Sequence, residues 1–421
     1  MNGWHRLHPL SPAVRAGRAL IAIAFIFLPT LVSGGSNQWD VAWHGVALVA
    51  LIVLGFVSWL VTRWRIEGND LRIETGLVRR SSMRYPLSQV QAIDTVRPGI
   101  ARLLGLSELR LRMGGTGGAA RLAYLPALHA DELRGRLLAL SQGAHEHTPE
   151  PADRPLVRVP PGRVAVSLAL SGPAVVLVVY AAAFAVWSSA DQHAARTVAA
   201  SMLPILIADA VAIWRRFNRS YNATVAEAPE GLRVRSGLVE TTAETIPRGR
   251  VQAVHFIEPL LWRPFGWGRL EVDVAGRVRD RSDAGRGKRR LRTLLPVGTR
   301  AEAAELLALI VPDAPVPERR PPHRARWKSP LRYRRLSFAY DERYAVATGG
   351  RLARIASWVP LTKVQSLRRI EGPVQRRLGL ATVYVDTAGR GFGATLRDLD
   401  GGDSRVALDR LTELARAARR R

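Results

Sequence analysis

Seven basic side chains crowd the fifteen residues GRVRDRSDAGRGKRR, from Gly276 to Arg290: Arg277, Arg279, Arg281, Arg286, Lys288, Arg289 and Arg290. Such a hairpin loop can meet phosphates, and near an anionic leaflet each basic residue contributes about 1 kcal/mol. The competing reading is a solvated loop with no ligand. Asp209 is a candidate of another kind. It lies in the apolar run TVAASMLPILIADAVAIW, Thr197 to Trp214, where an acid at bilayer depth costs about 2.5 to 3.5 kcal/mol. No second acid accompanies it to form a relay, so a structural or helix-pairing role is expected.

Other chemistry-bearing residues lack the company their chemistry needs. HEH at His145–His147 offers two metal ligands with no further ligand nearby. GGTGG at Gly114–Gly118 and GRGFG at Gly389–Gly393 follow strand patterns but open no helix, as a phosphate cradle requires; both read as hairpin turns. There is no cysteine, which excludes disulfides, thiolate metal sites and cysteine nucleophiles. No serine elbow, catalytic carboxylate set or kinase-like series is present. A non-enzyme without metal or cofactor is the expectation.

The third pattern is a repeat. PLSQVQAID (Pro86–Asp94) returns as PRGRVQAVH (Pro247–His255) and PLTKVQSLR (Pro360–Arg368). The glutamines Gln91, Gln252 and Gln365 are separated by 161 and 113 residues. Ten residues before each proline stands a glycine, Gly76, Gly237 or Gly350. Eleven after each glutamine stands an arginine, Arg102, Arg263 or Arg376, and three later another glycine, Gly105, Gly266 or Gly379. Four coincident positions establish an internal repeat. The glutamines are expected to satisfy a local backbone bond and the glycines to hold turns with positive φ.

The elements that must position these residues follow from hydrophobic patterning. ELRLRM and LEVDV alternate apolar with charged residues, as half-buried strands do. Each copy ends in a helical stretch, from His129, Thr299 and Ser404, and Thr299 stands three residues before Glu302, a capping-box spacing. Four apolar runs, Ala19–Gly34, Val41–Thr62, Val164–Trp187 and Thr197–Trp214, approach the roughly 20 residues that cross a bilayer. Tryptophans 39, 43, 59, 64, 187 and 214 lie near their ends. Arg6, Arg15, Arg18, Arg63, Arg65, Arg158, Arg163, Arg215, Arg216 and Arg219 flank the runs outside the hairpins, while the loops inside them hold only Arg196. The positive-inside rule then predicts four spans with both termini cytoplasmic. The difference between 161 and 113 is 48, close to the length of one hairpin: a hairpin separates copies one and two, and only a linker separates copies two and three.

The domains expected are a cytoplasmic segment 1–18, hairpin 19–62, module 63–142, linker 143–163, hairpin 164–214, module 215–311, a proline/arginine linker 312–330 and module 331–421. The last linker reads as a spacer, because proline fixes φ and removes a donor. Its arginines, interleaved with Trp327 and Tyr333, suit an interfacial segment or single-stranded nucleic acid, and the topology favours lipid. The net charge of +27 fits acidic partners.

The Gly-Leu turn, the P...VQ(A/S) strand and the following R..G turn, repeated beside paired membrane runs, resemble the bacterial pleckstrin-homology-like (PH) family of multi-pass membrane proteins. The resemblance implies three PH-like β-barrel or sandwich repeats, each closed by a C-terminal helix, on membrane helical hairpins. It implies no common activity. The expected function is a non-catalytic inner-membrane scaffold or protein/lipid interaction platform, with anionic headgroups and an unidentified protein as partners rather than nucleic acid. The alternatives are a component of a transport, export or envelope-stress/antimicrobial-resistance system, and anionic-lipid sensing by basic loops.

Overall fold

A computed structural model describes residues 4–6, 8–11, 53, 56–57, 59–68, 70–76, 81–113, 119–141, 154–188, 192–229, 231–274, 291–388 and 393–420. Most of the first expected hairpin, the basic loop, HEH, GGTGG and most of GRGFG lie outside these residues.

The first copy runs β1 (His5–Arg6), β2 (Arg63–Glu67), β3 (Asp70–Thr75), β4 (Ser81–Pro86), β5 (Val90–Arg97), α1 (Gly99–Leu103), β6 (Leu106–Met113), β7 (Ala119–Pro126) and α2 (Ala127–Ser141). The second runs β8 (Arg154–Arg158), α3 (Pro161–Ala169), α4 (Gly172–Ser188), α5 (Gln192–Ser220), β9 (Thr224–Ala228), β10 (Gly231–Ser236), β11 (Thr241–Ile246), β12 (Val251–Glu258), β13 (Trp267–Val274), β14 (Arg292–Thr299) and α6 (Arg300–Ile310). The third runs α7 (Ala325–Lys328), β15 (Ser337–Tyr340), β16 (Tyr344–Gly349), β17 (Arg354–Pro360), β18 (Val364–Ile370), α8 (Pro373–Arg377), β19 (Leu380–Thr387), β20 (Ala394–Asp400) and α9 (Gly401–Arg420). The mainly-β repeat closed by a C-terminal helix is therefore present three times.

The repeated prolines and glycines build turns. Pro86, Pro247 and Pro360, with φ of −61, −66 and −65°, each precede a single 3-10 turn from which Val90, Val251 or Val364 enters the next strand. Proline's ring presets that φ. Downstream, the amides of Gly105, Gly266 and Gly379 donate to the carbonyls of Arg102, Arg263 and Arg376, closing the turn into β6, β13 and β19. These glycines have φ of 66, 64 and 61°, a region that costs a residue with Cβ about 1 kcal/mol or more. A Cβ on Gly266 would meet nothing within 4 Å. Gly266→Ala is therefore expected to cost the second copy about 1 kcal/mol through backbone strain alone, read from amide exchange in β13.

Two compact units emerge. The first is chiefly residues 1–152 with 239–245. It holds one antiparallel sheet in the order β1-β2-β3-β4 and a second in the order β7-β6-β5, which β11 extends. Leu71, Leu87, Ile93, Leu109, Leu111 and Leu137 form its core. The second unit is chiefly 153–238, 246–276 and 280–421. It contains β8-β9-β10, a six-stranded sheet β14-β13-β12-β17-β16-β15, and β18-β19-β20. One of its cores lies around Val225, Leu232, Leu270 and Leu294, the other around Val383, Val385, Leu396 and Leu411.

Each copy begins earlier in the chain than its motif suggests. Arg6 pairs with Arg63 on β2, Arg158 with Thr224 on β9, and Arg319 bridges to Phe338 on β15. The stretches read as N-terminal segment and first linker thus supply the edge strands β1 and β8, and the proline/arginine linker adds a single bridge beside β15. The helices of the second copy are inserted between its first strand and its second. The paired residues Arg158 and Thr224 are 66 positions apart, Arg319 and Phe338 only 19. That difference, 66 minus 19 or 47, comes within one residue of the 48 by which the two repeat spacings differ, so one insertion point accounts for the unequal spacing.

Two further expectations change. The run Val164–Trp187 is two helices, α3 and α4, meeting at 54°. Gly172 and Pro173 lie at the break, where proline cannot donate and glycine disfavours helix. Val164 and Leu168 of α3 are buried in the core of the second copy, and Trp262 Nε1 donates to the Ser167 carbonyl at 2.9 Å. The proline/arginine linker is no free spacer. Arg324 pairs with Asp400, and Lys328 and Ser329 bond Asp398, which ties the linker to β20. The expected capping box is observed: the Glu302 amide donates to Thr299 Oγ1 at 3.2 Å and the Thr299 amide to Glu302 Oε2 at 2.7 Å.

Candidate membrane-contact surface

The chemistry of α4 follows from its sequence, GPAVVLVVYAAAFAVWS, which carries no charge. Val175, Val176, Val178 and Val179 are between 38 and 66% exposed. These four positions lie on one half of the helix; Tyr180 and Ala181, also exposed, carry the apolar surface round to the other, and a helix apolar all round belongs in a core or in lipid. Among the described residues no single helix is long and apolar enough to cross a membrane, but α3 and α4 together, through Val186, meet that test as a bent pair.

The partner helix, α5, changes character along its length. Ile207 and Trp214 are 52 and 53% exposed, and Arg215 and Arg219 follow immediately, also exposed. An indole beside arginines is the arrangement that suits a headgroup boundary, where the ring is half wet and the guanidinium reaches water. Asp209 is half-buried on the same helix, two residues beyond the exposed Ile207. Among the described residues no group of acids and histidines is placed to hold a metal. Between α3, α4 and α5 lies an apolar groove of about 420 Å³ lined by Ala165, Leu168, Ala174, Ile213, Trp214 and Phe217.

The basic residues divide into those held by the protein and those presented to solvent. Arg163, expected at a headgroup, instead places Nη1 2.9 and 2.7 Å from the two carboxylate oxygens of Glu302. Burial pushes the Glu302 carboxyl up, but the bonds from Arg163 and Thr299 outweigh it and hold the group below the usual carboxylate range. Arg158 donates to Asn222 Oδ1 at 3.1 Å. In the linker, Arg319 lies over the Tyr340 ring and Arg335 bonds the Arg351 carbonyl. By contrast Trp327 and Leu331 are 74 and 76% exposed, with Arg326 stacked over the Trp327 ring. Aromatic, aliphatic and cation on neighbouring turns are the mixture that suits a membrane interface.

Of the repeated glutamines, the side chain of Gln91 lies outside those described, and Gln252 and Gln365 differ in environment. Gln252 is 5% exposed and Nε2 donates to the Arg250 carbonyl at 3.4 Å, whereas Gln365 is exposed. The repeated arginines share the backbone turn, their carbonyls accepting from Gly105, Gly266 and Gly379, and Arg263 Nη2 in addition donates to the Leu352 carbonyl at 2.7 Å. Sequence reading missed the first pairing segments, for which the signal was present: basic stretches running into Pro9, Pro160 and Pro321.

A family model described as Bacterial PH domain matches residues 19–141, 167–310 and 292–413. The transmembrane protein YdbT of Bacillus subtilis (strain 168) is 23% identical over an alignment of 360 residues, with 76% of this chain and 72% of that protein covered.

Proposed function

The chain belongs to the bacterial PH domain family, and from that premise we propose that it is a non-catalytic, multi-pass membrane protein that holds its PH modules against the cytoplasmic face of the bilayer as an interaction platform. The observation that carries this reading is the insertion point in the second copy. Uncharged α4, with its valines exposed, leaves and α5 returns between the first two strands of a folded module. A module anchored in this way needs no long linker, and tethering raises the effective concentration of any partner engaged at the surface. The description of YdbT as a transmembrane protein supports the same placement. Headgroup contact by Trp327, Leu331 and Arg326, and by the basic loop from Arg277 to Arg290, is part of the platform reading. Asp209 serves helix pairing, not transport.

Membrane fractionation tests it. The full chain is expected to stay in the membrane pellet through an alkaline carbonate wash, and its modules to resist protease added to intact spheroplasts but not to inverted vesicles. Release by carbonate would overturn the membrane anchor, and cleavage of the modules in spheroplasts would overturn their cytoplasmic placement.

A further inference from the structure

Strand pairing between the repeats follows one rule, applied twice. β5 of copy one pairs antiparallel with β11 of copy two, placing Arg97 opposite Thr241, Val96 opposite Thr242 and Thr95 opposite Ala243. β12 of copy two pairs with β17 of copy three, placing Glu258 opposite Arg354, Ile257 opposite Ile355 and Phe256 opposite Ala356. Moving the first set forward by the repeat offsets, 161 for one strand and 113 for the other, gives the second set with no slip. The fifth strand of one copy therefore takes the fourth strand of the next as its neighbour, in a fixed register. Because side chains alternate with period two, a slip of one residue would turn every side chain to the other face, so the agreement is a specific match.

The rule leaves two strands over. β18 is the counterpart of β5 and β12, and β4 is the counterpart of β11 and β17. Among the described residues each stands at the edge of its sheet, with no strand of another copy beside it. Their exposure matches: β12 is buried at seven of its eight positions, whereas Gln365, Ser366, Arg368 and Ile370 of β18 are exposed. On β4, Ser82, Met83 and Arg84 are exposed. An unpaired edge presents backbone donors and acceptors that another strand can satisfy.

We propose that β18 of one chain pairs antiparallel with β4 of a second copy of the same chain, in the register the repeats already use. Transposing the β12–β17 pairing places Leu367 opposite Arg84, Arg368 opposite Met83, Arg369 opposite Ser82 and Ile370 opposite Ser81. None of these rungs sets like charges face to face, which would oppose pairing. Shifting β4 by one residue one way would put Arg368 opposite Arg84, and a shift either way would turn its side chains to the other face. The contact is head-to-tail, so a joined pair retains one free β4 and one free β18, and assembly continues until a ring closes or a filament forms. The proposal goes beyond the platform reading and does not depend on what the platform binds.

The chain has no cysteine, which makes disulfide trapping direct. On the rung that corresponds to Arg368 and Met83, His255 Nδ1 lies 2.9 Å from Ser357 Oγ, so side chains at this rung meet. Full-length Met83→Cys carrying one tag and full-length Arg368→Cys carrying another are co-expressed and oxidised in native membranes. A reducible species containing both tags is expected, at twice the 46.2 kDa chain mass. Ser82→Cys with Arg368→Cys, whose side chains fall on opposite faces, is expected to give about tenfold less, by the geometric demands of a disulfide. Ser81→Cys with Ile370→Cys is a second matched pair should the first fail to accumulate. Absence of the mixed species from matched pairs present at wild-type level, or equal yield from the mismatched pair, overturns the proposal. Both cysteines of the first pair placed in one chain distinguish the partner: a disulfide found only within single chains would show that β18 meets its own chain's β4, and would overturn pairing with a second copy.

Discussion

Lys328→Met is expected to lower the local stability of the third copy by about 3 kcal/mol, because it leaves a buried carboxylate without its cation. Asp398 is 1% exposed on β20 and sits at φ 57°. Lys328 Nζ and Gln375 Nε2, the latter at 2.7 Å, both reach its Oδ1, and Ser329 Oγ donates to Oδ2 at 2.9 Å. Methionine preserves the stem of Lys328 but removes the charge, and the amide and hydroxyl that remain do not compensate a desolvated anion. Asp398→Asn added to Lys328→Met is expected to recover more than half of the loss, since the neutral amide has no charge to desolvate and asparagine tolerates the left-handed backbone. Amide exchange in β19 and β20 measures both. A loss below about 0.5 kcal/mol, the scale of an exposed ion pair, would show that the linker is not anchored by this network.

That network also marks the limit of reading the linker from composition. Prolines and arginines between 311 and 330 describe a chain that cannot be continuous helix, and the structure agrees. They do not reveal that Arg324 and Lys328 find Asp400 and Asp398, residues about seventy positions later, because ion-pair partners across such a distance have no local signature. The turns were legible for the opposite reason. Proline before a 3-10 turn and glycine at positive φ are demands of the backbone itself, so all six repeated glycines could be placed from spacing alone. The first pairing segment of each copy was obscured by its separation from the strand it joins, and in the second copy the whole helical insertion intervenes. The break between α3 and α4 was written at Gly172 and Pro173, but hydrophobicity summed over Val164–Trp187 averages across it. Nothing in the repeat motif itself, finally, distinguishes a strand that finds a partner from one that does not; β12 and β18 carry the same Val-Gln start and differ in what lies beside them.

The join between copies two and three is expected to weaken in acid through one residue. His255 on β12 is 2% exposed, with Ser357 opposite it on β17 and Glu271 opposite it on β13, the latter paired with Arg269 at 3.2 Å. Its Nδ1 meets Ser357, and its Nε2 has no hydrogen-bond partner among the described residues. Protonation would place a cation with an unsatisfied donor inside the sheet. Burial accordingly lowers the His255 pKa from 6.5 to about 4. The folded chain thus binds this proton less readily than the unfolded one, so stability is full above pH 6.5 and falls as the pH drops towards 4. From pH 7.5 to 5 the loss attributable to His255 is about 2 kcal/mol. Carboxylates held below their usual range, Glu302 and Asp386, give up their stabilisation at lower pH, leaving this window to the histidine. Denaturant titration at the two pH values, followed by amide exchange in β12 and β17, is expected to show the loss in wild type. His255→Gln retains a polar partner for Ser357 without a titrating group, and should remove most of the difference between the two pH values. An unchanged pH dependence in that variant would assign the acid sensitivity of the join to another group.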